Sequence, residues 1–318
     1  MGDSGKTTSP TGPQISWMTD DQEGIVTSTT RRWIYFVDRF GEPHQGTAAT
    51  KALDITVGDK IHFERDKDEY LIDSYQERKN CLKRLYGKKE KLLSANIDVL
   101  FIVTAVGQLF QPGFVDRVLC VATLEEIPCC IVVNKTDLEM DAETSFLIGV
   151  YEELGLEVLQ TSTVEEGGLD PFLERIHRDP LQVVSLVGVS GVGKSSILNR
   201  LLPDIDRATR EVSGKSGQGR QTTSQAEAFH YRDGKADLFV IDLPGVQNFG
   251  ISDLTVREVQ SGMPDLFELA TLCEYKDCQH IAEPNCAVKL AFEKGAFPAC
   301  RFQSYIGMKE EIEKNREY

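Results

Sequence analysis

The chain has 318 residues, 41% of them hydrophobic, with 35 Lys and Arg against 50 Asp and Glu, a formal net charge of −15. That length leaves room for two or three domains with real cores, and no apolar run reaches the roughly eighteen residues of a membrane span. The negative balance excludes indiscriminate nucleic-acid binding, which Lys and Arg drive by displacing counterions, so any RNA contact must be local.

The opening MGDSGKTTSPTGPQ has no apolar core. Residues 1–22 read as a disordered polar tail rather than a secretory signal. Gly2 fits the start of a myristoylation pattern, but Lys6 stands where that pattern needs Ser or Thr. The expectation is a cytoplasmic protein without membrane attachment. In such a reducing compartment Cys81, Cys120, Cys129, Cys130 and Cys300 are ordinary free thiols.

Residues 23–94 carry the stretches GIVTSTTRRWIYFVD, HQGTAATKA, VGDKIHFERD and YLIDSYQER, with Gly and Asp at the turns. Trp33, Tyr35 and Val37 at two-residue spacing mark half-buried strands. Four or five such strands suit a small OB-type barrel, a fold that either binds oligonucleotides or serves as a plain structural unit. RKNCLKRLYGKKEK (78–91) then carries seven Lys or Arg against one Glu, and RATREVSGKSGQGR (207–220) carries four against one. Each fits a solvated basic loop or a local RNA contact.

From residue 95 to 258 the texture becomes α/β. IDVLFIVTAV, IPCCIVVN, LEVLQTS and LQVVSLVG read as apolar strands, alternating with the amphipathic helices PGFVDRVLCVATLEE, AETSFLIGVYEELG and LDPFLERIHRD. KSSILNRLL is a further helix, and AEAFHY and DLFVIDLPG are two more strands. Strands apolar throughout and alternating with helices imply a parallel sheet covered on both faces, with ligands at the strands' carboxyl ends.

The motifs fall at those ends. Gly188-Val189-Ser190-Gly191-Val192-Gly193-Lys194-Ser195 satisfies G-x-x-x-x-G-K-[ST] between a strand and a helix. Its backbone N–H groups can curl around phosphates, Lys194 can reach the β- and γ-phosphates, and Ser195 can ligate Mg2+. Asp242-Leu243-Pro244-Gly245 ends another strand; Asp242 suits a Mg2+-bound water and the Gly245 N–H a γ-phosphate. In Asn134-Lys135-Thr136-Asp137, Asp137 can accept from the guanine N1–H and N2 amino group, which adenine lacks. Asn134 can brace neighbouring loops, the Lys135 stem can pack over the ring, and Ser162 is a candidate to back the base. Together these residues favour GTP over ATP. The Gly-rich SGKSGQGRQTTS reads as a mobile loop whose Thr222 or Thr223 can complete a Mg2+ shell. Val246, after Gly245, cannot orient a water, which leaves Gln221 as the nearest candidate for that task.

The base-reading loop precedes the phosphate loop, the reverse of the expected order. A circularly permuted domain accounts for this, because termini that lie close together let a chain be recut elsewhere. The segment after Asp242 then becomes the domain's C-terminal end and must be anchored by the remainder of the chain. That remainder carries Cys273, Cys278, His280 and Cys286, spaced C-x4-C-x-H-x5-C. Three thiolates and an imidazole make a closed tetrahedral zinc set, the alternative being unligated thiols. Residues 259–318 are otherwise helical and too polar for an independent core, so a structural Zn2+ would staple them.

This order of barrel, NKTD, GVSGVGKSS, DLPG and CEYKDCQHIAEPNCAV resembles the ribosome small-subunit-dependent GTPase A family from about residue 24 onward. The resemblance implies an OB-fold, a circularly permuted P-loop GTPase domain and a zinc-stapled helical domain. It implies binding to the small ribosomal subunit and its rRNA late in maturation, with GTP hydrolysis to GDP stimulated by the subunit; the chain is expected to be a monomer. It assigns Asn134 to Asp137 to guanine, Gly188 to Ser196 to phosphates and magnesium, and the Cys and His set to zinc. Two departures stand out. Gln221 occupies the place of a family His, and TAATKALDITVGD is poor in Arg and Lys for a barrel of this kind. The alternatives are a small-molecule kinase with a phosphate loop, which would not need Asn134-Lys135-Thr136-Asp137, and a GTP-gated binding module with negligible turnover.

Overall fold

The computed structural model describes residues 14–66, 69–86, 89–203, 226–243, 251 and 253–316. Five strands, β1 Glu23–Thr29, β2 Ile34–Asp38, β3 Pro43–Ala48, β4 Lys60–Asp66 and β5 Glu69–Tyr75, close a barrel in the order β1-β2-β3-β5-β4. The two-residue alternation places Ile34 and Phe36 inward, where they pack with Val26, Ile61, Phe63 and Ile72.

The basic stretch 78–91 differs from the expected loop. Most of it forms a hairpin of β6 Cys81–Tyr86 and β7 Lys89–Ala95, which pairs with neither sheet. Its base is held by buried Leu82 and Ala95. Two of its cations are engaged in the joint between barrel and sheet. Arg78 forks onto the fully buried Asp59 at 2.7 and 2.8 Å, and Lys79 Nζ meets Asp98 at 2.8 Å. Lys83 lies beyond that joint on β6, while the side chains of residues 84–90 are outside the described set.

The second sheet has six strands: β8 Val99–Ala105, β9 Cys129–Asn134, β10 Glu157–Gln160, β11 Val183–Val187, β12 Glu227–Arg232 and β13 Asp237–Asp242. Its order is β10-β9-β8-β11-β13-β12. Every residue of β8 and of β11 is buried, as a sheet covered on both faces requires. Helices α1 Pro112–Leu124, α2 Ala142–Glu153, α3 Asp170–Arg178 and α4 Lys194–Leu201 make the crossovers. The sheet is parallel as expected except at one edge, where β12 runs antiparallel to β13. The link between them is too short for a crossover: Asp233 Oδ1 accepts from the N–H groups of Lys235 and Ala236, and Gly234 takes φ 87°.

Beyond the sheet come α5 Val256–Ser261, α6 Pro264–Ala270, α7 Ala287–Glu293 and α8 Ala299–Arg316. Thr255 starts α5 with a reciprocal capping box to Glu258. Helix α8 packs along α1. Arg301 reaches Asp116 at 2.6 Å and forks onto Asp265, and Arg117 forks onto Glu311 at 3.1 and 2.5 Å. Asp116 and Arg301 are essentially sealed from solvent.

Among the described residues no helix is long and apolar enough to cross a membrane. The thiols of Cys81, Cys120, Cys129, Cys130 and Cys300 are free, and burial pushes Cys120, Cys129 and Cys130 up to about 12, which keeps them protonated at neutral pH.

Candidate nucleotide site and metal cluster

Strand β11 ends at Val187 and the chain turns through Gly188–Gly193 into α4. Gly191 and Gly193 adopt φ 88° and 103°, which an L side chain resists. A Cβ at Gly193 would also collide with the Asn134 amide, and one at Gly188 with the Val103 carbonyl. Lys194 Nζ donates to the Gly188 carbonyl at 2.6 Å and the Val189 carbonyl at 3.2 Å, which holds the ammonium over the loop. Burial lowers the Lys194 pKa, opposed by the nearby Asp242 carboxylate. Ser195 and Ser196 are exposed in the first turn of α4.

The base-reading loop leaves β9 at Asn134 beside this turn. Asn134 is fully buried; its Nδ2 donates to the Val192 carbonyl at 2.8 Å, and its Oδ1 accepts from Thr161 Oγ1 at 3.2 Å. Lys135 takes φ 65°, an uncommon backbone state for a non-glycine residue and a feature that concentrates at functional sites. Thr136 N–H donates to the Thr161 carbonyl at 3.1 Å. Ser162 Oγ donates to Asp137 Oδ1 at 2.7 Å and accepts from the Val164 N–H at 3.2 Å. Three strand ends thus converge at one end of the sheet: β9 with the Asn-Lys-x-Asp loop, β10 with Thr161 and Ser162, and β11 with the Gly-rich loop.

Asp242 closes β13 on the phosphate side. Burial raises its carboxyl pKa and Lys194 opposes the rise; its Oδ1 is buried without a hydrogen-bond partner among the described residues. Glu227 lies directly across from it on β12, and burial followed by the Asp242 charge pushes that carboxyl up too. An orphaned carboxylate oxygen facing the phosphate loop fits a hydrated divalent cation. Gln221, Thr222, Thr223, Gly245 and Val246 lie outside the described residues.

Cys273, Cys278, His280 and Cys286 bring their ligand atoms within 4.8 Å of one another. Zinc–sulfur bonds of about 2.3 Å and zinc–nitrogen bonds of about 2.0 Å at a tetrahedral angle separate ligand atoms by roughly 3.5 to 3.8 Å. Here Cys273 Sγ lies 3.6 Å from His280 Nδ1 and 3.9 Å from Cys286 Sγ, and His280 Nδ1 lies 3.4 Å from Cys286 Sγ. Burial pushes the Cys278 thiol up to about 12, so a thiolate there needs a cation beside it. The residues fit a closed Cys3His site.

Three contributors carry no motif of their own. Thr161 braces Asn134, and its one sequence signal is its place next to Ser162 at a strand end. The Gln260 amide lies 3.2 Å from His280 Nε2 and donates to the Cys278 carbonyl at 3.0 Å, orienting the imidazole from behind. Burial raises the Glu283 carboxyl, but the N–H groups of Gln279, Ile281 and Ala282 bring it down to about 2 and hold the metal loop's turn.

A family model described as RsgA GTPase matches residues 75–252. The chain is 31% identical over 323 residues to the small ribosomal subunit biogenesis GTPase RsgA of Actinobacillus pleuropneumoniae serotype 5b (strain L20), covering 96% of this chain and 92% of that protein. It is 32% identical over 305 residues to the protein of the same description from Histophilus somni (strain 129Pt), covering 92% and 85%. The crystal structure of YjeQ from Thermotoga maritima superposes with a TM-score of 0.69 and 26% identity, over 92% of this chain and 98% of that one. That of YloQ, a circularly permuted GTPase, gives 0.66 and 25% over 92% and 95%. The fold is therefore a circularly permuted GTPase domain between an OB-like barrel and a Cys3His-bearing helical module, and the chain belongs to the RsgA GTPase family.

Proposed function

We propose that this chain is a GTPase of small ribosomal subunit biogenesis, hydrolysing GTP to GDP and phosphate under stimulation by the subunit. The observation that carries the reading is the Asn134 amide, which ties the Asn-Lys-x-Asp loop to the Gly-rich loop at 2.8 Å and so supports taking two distant motifs as one guanine-nucleotide site. Asp137, held by Ser162, accepts from the guanine N1–H and N2 amino group, and the loop from Gly188 to Ser196 holds the phosphates. Ser195 and Asp242 would hold Mg2+, with Thr222 or Thr223 completing its shell. When bound, the ion neutralises charge developing on the phosphates. Lys194 leaves its loop carbonyls for the β- and γ-phosphates, and Gln221 orients the attacking water. Cys273, Cys278, His280 and Cys286 hold a structural Zn2+.

We read residues 23–94 as the barrel with its basic hairpin, 95–258 as the GTPase unit and 259–318 as the zinc unit, in a cytoplasmic monomer. Contact with rRNA goes through Lys83 and the basic residues beyond it on the hairpin, since Arg78 and Lys79 are spent on the joint. GTP turnover measured with and without purified small subunits tests the function. Stimulated turnover is the expected result. Tight GTP binding with no turnover under either condition would leave a GTP-gated binding module instead.

A further inference from the structure

An acidic protein that holds an RNA-rich particle must turn much of its surface toward something other than phosphate. The zinc unit shows what that is. Of the eight large hydrophobic side chains exposed among the described residues, five lie between positions 267 and 290: Phe267 at 49%, Leu272 at 72%, Tyr275 at 44%, Ile281 at 44% and Leu290 at 46%. The cause is local. The loop from Cys273 to Cys286 turns its Cys and His side chains inward to one cluster, and its ends are tied where Asn285 Nδ2 donates to Glu274 Oε2 at 2.8 Å. A short loop committed inward at four positions has no core left for its other side chains, so Tyr275 and Ile281 stand in solvent, as does Leu272 just ahead of the loop. Phe267 and Leu290 are exposed on α6 and α7, two helices that flank this loop and pack together.

The charge on the same surface selects the partner. Between positions 267 and 290 the charged residues are Glu268, Glu274, Asp277 and Glu283 against Lys276 and Lys289, and three thiolates around a divalent cation would add one more negative charge. A net of about −3 repels RNA phosphate, anionic lipid and a second copy of this acidic chain. Exposed apolar groups on an acidic ground suit a basic polypeptide that brings its own apolar side chain. We propose that the α6, metal-loop and α7 surface docks a Lys- and Arg-rich protein segment of the small subunit, while the basic hairpin takes RNA. The source of the segment rests on the proposed function; the chemistry of the surface does not.

The test is photo-crosslinking with a benzophenone-bearing residue placed at Leu272 in the full, metal-loaded chain. One arm uses purified small subunits, and the other uses the subunit's proteins freed of rRNA. Expected is a protease-sensitive, RNase-resistant adduct in both arms. Charge reversal by Glu274→Lys with Asp277→Lys should lower its yield at least about tenfold, the equivalent of 1.4 kcal/mol across a charged rim. Reversal of Glu152 and Glu153 on α2 should leave it unchanged, as should GTP affinity in every variant. If the chain pellets with subunits but crosslinks to rRNA, to itself or to nothing, the inference falls and the functional reading stands. If the chain does not pellet, the functional reading falls, and the rRNA-free arm alone decides the inference: no adduct there overturns it.

Discussion

Arg301→Met isolates the tie between α1 of the sheet domain and the Cys3His-bearing helical module. The guanidinium is 3% exposed and lies between Asp116, fully buried on α1, and Asp265, 14% exposed on α6. Methionine fills much of the same volume but leaves both carboxylates without a cation. Asp265 can turn to water; Asp116 cannot. Burial already raises the Asp116 pKa, with Arg301 the main opposing influence, so the variant raises it further. Breaking a buried pair from one side costs about 3–5 kcal/mol. Protonation limits that cost: neutralising a carboxyl with an unfolded pKa near 3.9 costs about 4 kcal/mol at pH 7 and about 1.5 at pH 5, at roughly 1.4 per unit. The sign follows from the folded state holding the extra proton. Destabilisation relative to wild type is therefore small near pH 4 to 5 and grows as pH rises toward the variant's folded pKa. The double variant Asp116→Asn, Arg301→Met, with no carboxylate left to strand, should recover much of the loss and show little pH dependence. Urea unfolding followed by circular dichroism from pH 5 to 8 gives the energies, and hydrogen exchange across α8 locates the loosening. A cost below about 1 kcal/mol, or one independent of pH over that range, would refute the reasoning.

Asp137→Asn should weaken GTP binding and shift preference toward xanthosine triphosphate, whose C2 oxygen repels a carboxylate but accepts from an amide; unchanged GTP affinity would remove Asp137 from the base site. Gly193→Ala should cost at least about tenfold in nucleotide affinity, since the new Cβ displaces the Asn134 amide at a φ of 103°; calorimetric titration with GDP equal to wild type would contradict it. Elemental analysis should find one zinc per chain, and a chelator should raise hydrogen exchange over residues 271–298 before it affects the sheet; metal-free protein with full protection there would sink the site. Because a Gln amide does not titrate whereas a His does so near 6.5, subunit-stimulated turnover should be nearly flat between about pH 6 and 8, and Gln221→His should introduce a rise; an inflection in the wild type would assign water positioning elsewhere.

What the sequence disclosed, it disclosed through local spacing. The phosphate loop, the Asn-Lys-x-Asp tetrapeptide and the C-x4-C-x-H-x5-C set are each read within a few residues, because backbone geometry fixes where their atoms go. Partners across long separations were not legible. Asn134 meets Val192 across 58 residues, and Arg301 meets Asp116 across 185. Gln260 behind His280 has no motif at all. The basic cluster misled for the same reason: counted along the chain, Arg78 and Lys79 belong with Lys83, yet buried Asp59 holds Arg78 and half-buried Asp98 holds Lys79 at the barrel joint. The antiparallel edge strand was legible in principle, since the turn at Asp233 and Gly234 leaves no length for a crossover.

The permutation gives these long-range ties their mechanical meaning. The chain leaves the phosphate site at Asp242 on β13, and by Thr255 it has entered α5. That helix returns to the GTPase unit: Cys120 of α1 lies against the Val259 carbonyl at 3.8 Å, and a Cβ at Gly262 would strike the Cys120 sulfur. The chain between Leu243 and Thr255 is thus bounded at one end by a strand and at the other by a helix seated on α1. In the unpermuted order this segment would run on into another crossover of the same sheet. Here it runs into a unit held to that sheet's α1 by Arg301 on Asp116 and Arg117 on Glu311. Side-chain pairs stand in for chain continuity. By the proposed function, a displacement at Asp242 would reach the Cys3His module through α1, carried by these two ion pairs and the packing of α8 along α1.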